Sequence, residues 1–167
     1  MSSPSPGFDP LRRLRELVAD GRFQEALDAY RGAEEGDARR QPEARLLAGT
    51  AALRLGELDV AVSLVESALD GFRARGDADG RMRATNLLGA IAFERGRLDE
   101  AERRFREALA LARELDDTLM AARASNNLAS VAHLRGRPDE ALGLYRSALL
   151  AHQRLGDRRG AAETCHN

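Results

Sequence analysis

The chain has 167 residues, 43% of them hydrophobic and 32% charged, which is the material of one domain with a buried core. Its 26 basic residues, every one an arginine, nearly cancel 27 acidic ones; the net charge of −1 excludes the basic field by which nucleic-acid proteins are usually held. The lone Cys165 excludes an internal disulfide, the N-terminal stretch lacks a signal peptide's charged start, and no apolar run approaches the ~20 residues of a membrane helix, so a soluble, cytoplasmic protein is expected.

Residues 1–8, "MSSPSPGF", read as a disordered tail, and residues 9–167 as a single domain. Asp9-Pro10 caps a first helix that runs to about Val18, Gly21 breaks it, and Phe23, Ala26, Leu27 and Tyr30 line a second, giving a short hairpin over about 9–35. The next hairpin, about 42–76, has a stripe of Ala44, Ala48, Ala51 and Ala52, a break at Gly56, and a second stripe of Leu58, Ala61, Val65, Ala68 and Leu69. A third covers about 78–116: Ala84, Leu88, Ile91 and Ala92, then Gly96, then Leu98, Ala101, Phe105, Ala108, Leu109 and Ala112. Its second helix offers the acid-first pairs Asp99–Arg103, Glu100–Arg104 and Glu102–Arg106, most simply a solvated outer face.

The fourth hairpin, about 118–156, copies the third. Ala124, Leu128, Val131 and Ala132 precede Gly136, and Ala141, Tyr145, Ala148 and Leu149 follow Pro138, which sits where a helix start needs no N–H. "RGRLDEA" at 95–101 thus returns as "RGRPDEA" at 135–141, forty residues on. Each glycine past a first helix can take the left-handed conformation that ends it. The turns "RGDAD", "ELDDT" and "RLGDR" between hairpins supply Asp caps. Residues 158–167 align with the start of the third hairpin, Thr164 on Ala84 and His166 on Asn86. They read as the opening turns of a fifth first-helix, so further chain, or self-association through that end, is expected.

Leu88-Gly89 with Ala101-x3-Phe105, Leu128-Ala129 with Ala141-x3-Tyr145, Ala48-Gly49 with Ala61-x3-Val65, and Ala26-x3-Tyr30 together resemble the tetratricopeptide repeat. The pattern's Trp is replaced by Arg45, Thr85 and Ser125, its Tyr by Ala52, Ala92 and Ala132, and no Pro closes a repeat. The forty-residue step is similar to the repeats of kinesin light chain and of bacterial peptide-sensing regulators, and "NNLASVAHLRGRPDEA" is especially like the former. The resemblance implies an all-α, right-handed solenoid of stacked antiparallel hairpins, with first helices lining a concave groove. HEAT, armadillo and RNA-reading helical repeats fit the Gly/Ala…Ala-x3-aromatic grammar less well.

Removing the core stripe from the third hairpin's first helix leaves Arg83, Asn86, Ala90 and Phe93 on one face; the fourth gives Arg123, Asn126, Ser130 and His133, with Asn127 adjacent. The second hairpin gives Glu43, Leu46, Thr50 and Leu53 there, and the partial fifth Glu163 and His166. An Asn can donate to and accept from a peptide backbone, Arg can fork onto a carboxylate, small residues leave room and rings pack on side chains. The resemblance supports Asn86 and Asn126 as ligand-holding residues. The same rows also read as a solvated surface copied by duplication, and His152, late on an outer helix, reads as surface.

No chemistry-bearing set competes. Cys165 and His166 are adjacent and do not face each other on a helix, three His and one Cys have no metal-ligand spacing, and no glycine-rich phosphate loop occurs. Asp116-Asp117 reads as turn and cap. The expectation is a binder without catalytic residues, metal or cofactor, taking a peptide or protein segment. The alternatives are a sensory module of a larger bacterial regulator and a structural element that stacks end to end.

Overall fold

The computed structural model describes residues 9–33 and 41–167; the tail expected at 1–8 and the end of the first hairpin lie outside the described residues. Among these residues the chain is all helix and turn: α1 (Pro10–Ala19), α2 (Phe23–Gly32), α3 (Pro42–Arg54), α4 (Leu58–Ala74), α5 (Ala78–Glu94), α6 (Leu98–Glu114), α7 (Thr118–Leu134), α8 (Pro138–Leu155) and α9 (Arg158–His166). They form two compact units, α1 to α4 in the first, which ends at Gly76, and α5 to α9 in the second.

In the first unit α1 and α2 pack on each other and on α3, which pairs with α4. The core is Leu14, Leu17, Leu27, Val65, Leu69 and Phe72 among many alanines. A Cβ on Gly49 would come within 2.4 Å of Val65 Cγ2, so glycine is what lets α3 and α4 approach this closely. Leu46, expected on the open face, is only 4% exposed: both α1 and α2 lean on α3 and leave it less free surface than a helix with one neighbour.

In the second unit each helix packs on the next, from α5 to α9, and α5 also touches α7. Ala92, Ala101, Phe105, Ala108, Leu109, Ala124, Leu128 and Val131 form one core cluster; Met82, Ala112 and Met120 form another. Burial of the Phe105 ring alone is worth about 1.5–3 kcal/mol.

The turns carry the expected punctuation. After α5, Gly96 has φ 70°, its N–H donates to Phe93 O at 2.9 Å, and the Arg97 N–H reaches Ala92 O at 2.9 Å; this double closure satisfies the last helix carbonyls. Gly21, Gly56, Gly76, Gly136 and Gly156 share the positive φ. Asp77, Asp117 and Asp157 cap α5, α7 and α9 by accepting from the N–H of Gly80, Met120 and Gly160 at 2.8, 2.9 and 3.0 Å.

Two expectations are corrected here. His152 is not a surface residue but is 1% exposed, because α9 folds over α8. Its Nδ1 lies 2.9 Å from Asp157 Oδ2, within ion-pair reach though without hydrogen-bond alignment, and Gly160 leaves the ring its room: a Cβ there would be 2.4 Å from it. The face of α6 is also not simply solvated. Asp99 pairs with Arg135 of the α7–α8 turn rather than with Arg103, Arg104 approaches Glu107, and Glu102, paired with Arg106 as expected, is buried.

Candidate functional site

The first helices of the second unit, α5, α7 and the short α9, each begin on an Asp cap, so corresponding residues enter in phase. Burial repeats residue for residue over 81–92 and 121–132. Arg83 and Arg123 are exposed; Asn86, Asn126 and Asn127 are half-buried, as are Ala90 and Ser130; the positions between them are core.

Asn127 Nδ2 donates to Asn86 Oδ1 at 3.3 Å, and one repeat on Asn167 Nδ2 donates to Asn126 Oδ1 at 3.4 Å. Side-chain amides from α5, α7 and the end of α9 therefore link in steps of forty-one residues. The Nδ2 groups of Asn86 and Asn126 and the Oδ1 of Asn127 are not used in these bonds, so the row offers both donors and an acceptor. Asn127, one position off the predicted row, is part of it, and so is Asn167. The alignment that matches His166 with Asn86 already sets Asn167 on Asn127, which is the signal that reveals it.

The other predicted residues divide. Arg83 lies 3.5 Å from Asp79, one turn back, with both side chains well exposed; such a pair is weak and leaves the guanidinium available. Arg123 acts on Asp157 by its charge, helping to hold that carboxyl below its usual range. The larger influence on Asp157 is the Gly160 N–H, which outweighs the upward push of burial, with His152 contributing in the same downward direction. Ala90 and Phe93 are half-buried and pack on the cluster that holds Leu128 and Val131, so they serve the α5–α7 contact as well as any surface. Ser130 Oγ is 3.1 Å from Tyr145 Oη and donates to Asn126 O at 3.3 Å. His133 is exposed at the end of α7, and His166 at the end of α9; Glu163 pairs with Arg159 at 3.1 Å.

In the first unit the corresponding positions are more closed: Glu43 reaches Arg75 at 3.4 Å, Thr50 donates to Leu46 O at 2.9 Å, and Leu53 is half-buried. Among the described residues no group of three or more His, Cys, Asp or Glu could hold a metal ion, and no helix is long and apolar enough to cross a membrane.

The tetratricopeptide repeat family matches residues 40–114 and 80–151. No curated protein gives a significant match. Among solved structures, a Rap protein complexed with Competence and Sporulation Factor is similar over 93% of this chain and 45% of its own, with TM-score 0.82 and 17% identity. The Rap conjugation gene regulator of plasmid pLS20, in complex with a Phr peptide, is similar over 94% and 50%, with TM-score 0.72 and 18% identity. MamA is similar over 89% and 79%, with TM-score 0.65 and 18% identity. The chain spans about half the length of the Rap proteins it matches. At these identities the likeness shows the fold, which is the all-α solenoid of helical hairpins expected from the sequence. With matches across more than half its length, this chain belongs to the tetratricopeptide repeat family.

Proposed function

We propose that the chain is a non-catalytic protein-interaction module that holds an extended peptide or protein segment along α5, α7 and α9, in a concave groove formed by the first helices. The amide row Asn86–Asn127 and Asn126–Asn167 carries this reading. Each bond fixes a side chain that would otherwise lose rotamer freedom on binding, and leaves groups that match the alternating N–H and C=O of an extended backbone. Arg83 and Arg123, exposed on the same helices, supply charge for acidic side chains or a terminal carboxylate. The peptide complex of the similar Rap conjugation gene regulator supports a peptide as the class of guest. The near-zero net charge favours a protein guest over nucleic acid, and the single exposed cysteine fits a cytoplasmic setting.

A second reading, a sensory module within a larger regulator, is favoured by one observation: the similar Rap chains are about twice as long as the part this chain covers. Peptide binding would then be the input and the remainder of such a protein the output.

The test is a peptide-library screen read against the double variant Asn86→Ala/Asn126→Ala. Hits should lose affinity by about 1–3 kcal/mol, the cost of losing hydrogen bonds that leave a buried partner unmet. Equal binding by the variant, with its helix content intact, removes this face as the site.

A further inference from the structure

A second charged feature lies away from the amide row, between α6 and the α7–α8 turn. Glu102, in the second turn of α6, is 7% exposed. Arg137 donates to it through two nitrogens at 2.9 and 3.3 Å, Arg135 Nε approaches at 3.3 Å, and Arg106 reaches it from one turn on. Asp99 holds the outer end of Arg135, and Glu140 lies 2.8 Å from Arg137. Asp99, Glu102, Arg103, Arg106, Arg135 and Arg137 line an open cleft of about 500 Å³.

The cleft is not charge-neutral. Four guanidiniums, of Arg103, Arg106, Arg135 and Arg137, and two carboxylates, of Asp99 and Glu102, line it; Glu140, beside Arg137, adds a third carboxylate and leaves the guanidiniums in excess. Arg103 has no carboxylate partner among the described residues, since the acid four residues before it is taken by Arg135. The Nε–H of Arg137 is buried and meets no acceptor in the protein. Two elements thus bring guanidinium groups to one concavity, and Glu102 keeps Arg135 and Arg137 in fixed orientation. The corresponding positions one repeat either way are Val62 and Leu142, so the repeat pattern does not demand an acid here.

We propose that this cleft binds a phosphate-class oxyanion, either free or carried on a side chain. A planar carboxylate presents its oxygens on one side. A tetrahedral dianion accepts in several directions, as donors on both α6 and the turn require, and its charge suits the unbalanced guanidinium. Arg103 and the outer nitrogens of Arg106 and Arg135 make the first contacts; Glu102, by orienting Arg135 and Arg137, removes part of the ordering cost.

The experiment follows the arginine Nε–Hε resonances of the full chain while inorganic phosphate is added at constant ionic strength, with chloride as the matched control. Saturable shifts at Arg103, Arg106, Arg135 and Arg137 that chloride does not reproduce are expected. Arg103→Gln, which disturbs no ion pair of the fold, should weaken phosphate binding about ten-fold, the loss of one charge-assisted contact. Arg135→Gln, checked for unchanged helix content, should do the same. O-phospho-L-serine in a parallel titration separates the sources: tighter binding than phosphate assigns a phosphorylated side chain, weaker or equal binding a free ion. Shifts that grow linearly and equally with chloride, or affinity unchanged in both variants, would overturn the proposal.

Discussion

Asp116 shows how a single backbone position records the repeat. It has φ 54° and donates its N–H to Arg113 O, while the Asp117 N–H closes on Ala112 O at 2.8 Å. Gly76 and Gly156 hold the same place in the turns one repeat before and after, at φ 66° and 67°. A left-handed conformation costs an L-residue about 1–2 kcal/mol, less for Asp than for bulkier side chains, and glycine almost nothing. Asp116→Gly should therefore raise stability by about 1 kcal/mol, seen as a higher urea midpoint at unchanged slope. A lower midpoint would mean that the Asp116 carboxylate contributes a contact worth more than the strain it carries.

The helix pair α5–α6 owes its close approach to Gly89 facing Phe105. A Cβ at 89 would come within 2.7 Å of two ring carbons and 3.2 Å of Arg104 Cβ, and the ring, 2% exposed, has nowhere to go. The pair α7–α8 shows the relaxed alternative, in which Ala129 stands where glycine would be and Tyr145 sits half-buried with its hydroxyl on Ser130. Gly89→Ala gains up to about 1 kcal/mol of helix propensity and loses about 1–3 to overpacking, so a net loss of about 1 kcal/mol is expected in urea unfolding. A gain would show that Phe105 can adopt the half-buried arrangement of Tyr145 without cost. At this level the sequence was most readable, because glycine after one helix, Asp before the next and small residues at fixed spacing all act within a few residues of themselves. Tyr145 was expected in the core like Phe105, but it is half-buried, with its hydroxyl 3.1 Å from Ser130 Oγ, a polar partner that Phe105 has no group to take.

Long-range electrostatics were not readable in the same way. Glu102 looks from sequence like one of many acids on an outer helix; its burial depends on Arg135 and Arg137, more than thirty residues later. His152 looked like surface, although Phe72 and Ala112 occupy its place in earlier repeats and are themselves buried, a clue that residue type alone concealed. The amide row was half legible: Asn86 and Asn126 stood out, but their partners lie forty-one residues on rather than forty, because the donor comes from the neighbouring position on the next helix. Two acids, the buried Glu102 and the half-buried Asp157, contribute to how the molecule answers to pH. For Glu102, burial pushes the carboxyl up, but the Arg137 hydrogen bond and the charges of Arg106, Arg137 and Arg135 together bring it below its ordinary value; Asp157 is lowered chiefly by the Gly160 N–H. A carboxyl lowered in the folded state contributes stability above its unfolded pKa, about 4, and loses it as pH falls through the folded value. The urea midpoint of the wild type should therefore fall between pH 5 and 3 as α6 loses its tie to the α7–α8 turn and α9 its hold on α8. Glu102→Gln and Asp157→Asn should each be less stable than wild type at pH 7, fall less steeply, and converge on it in acid. Variant curves that ran parallel to the wild type down to pH 3 would place the acid sensitivity in other carboxylates.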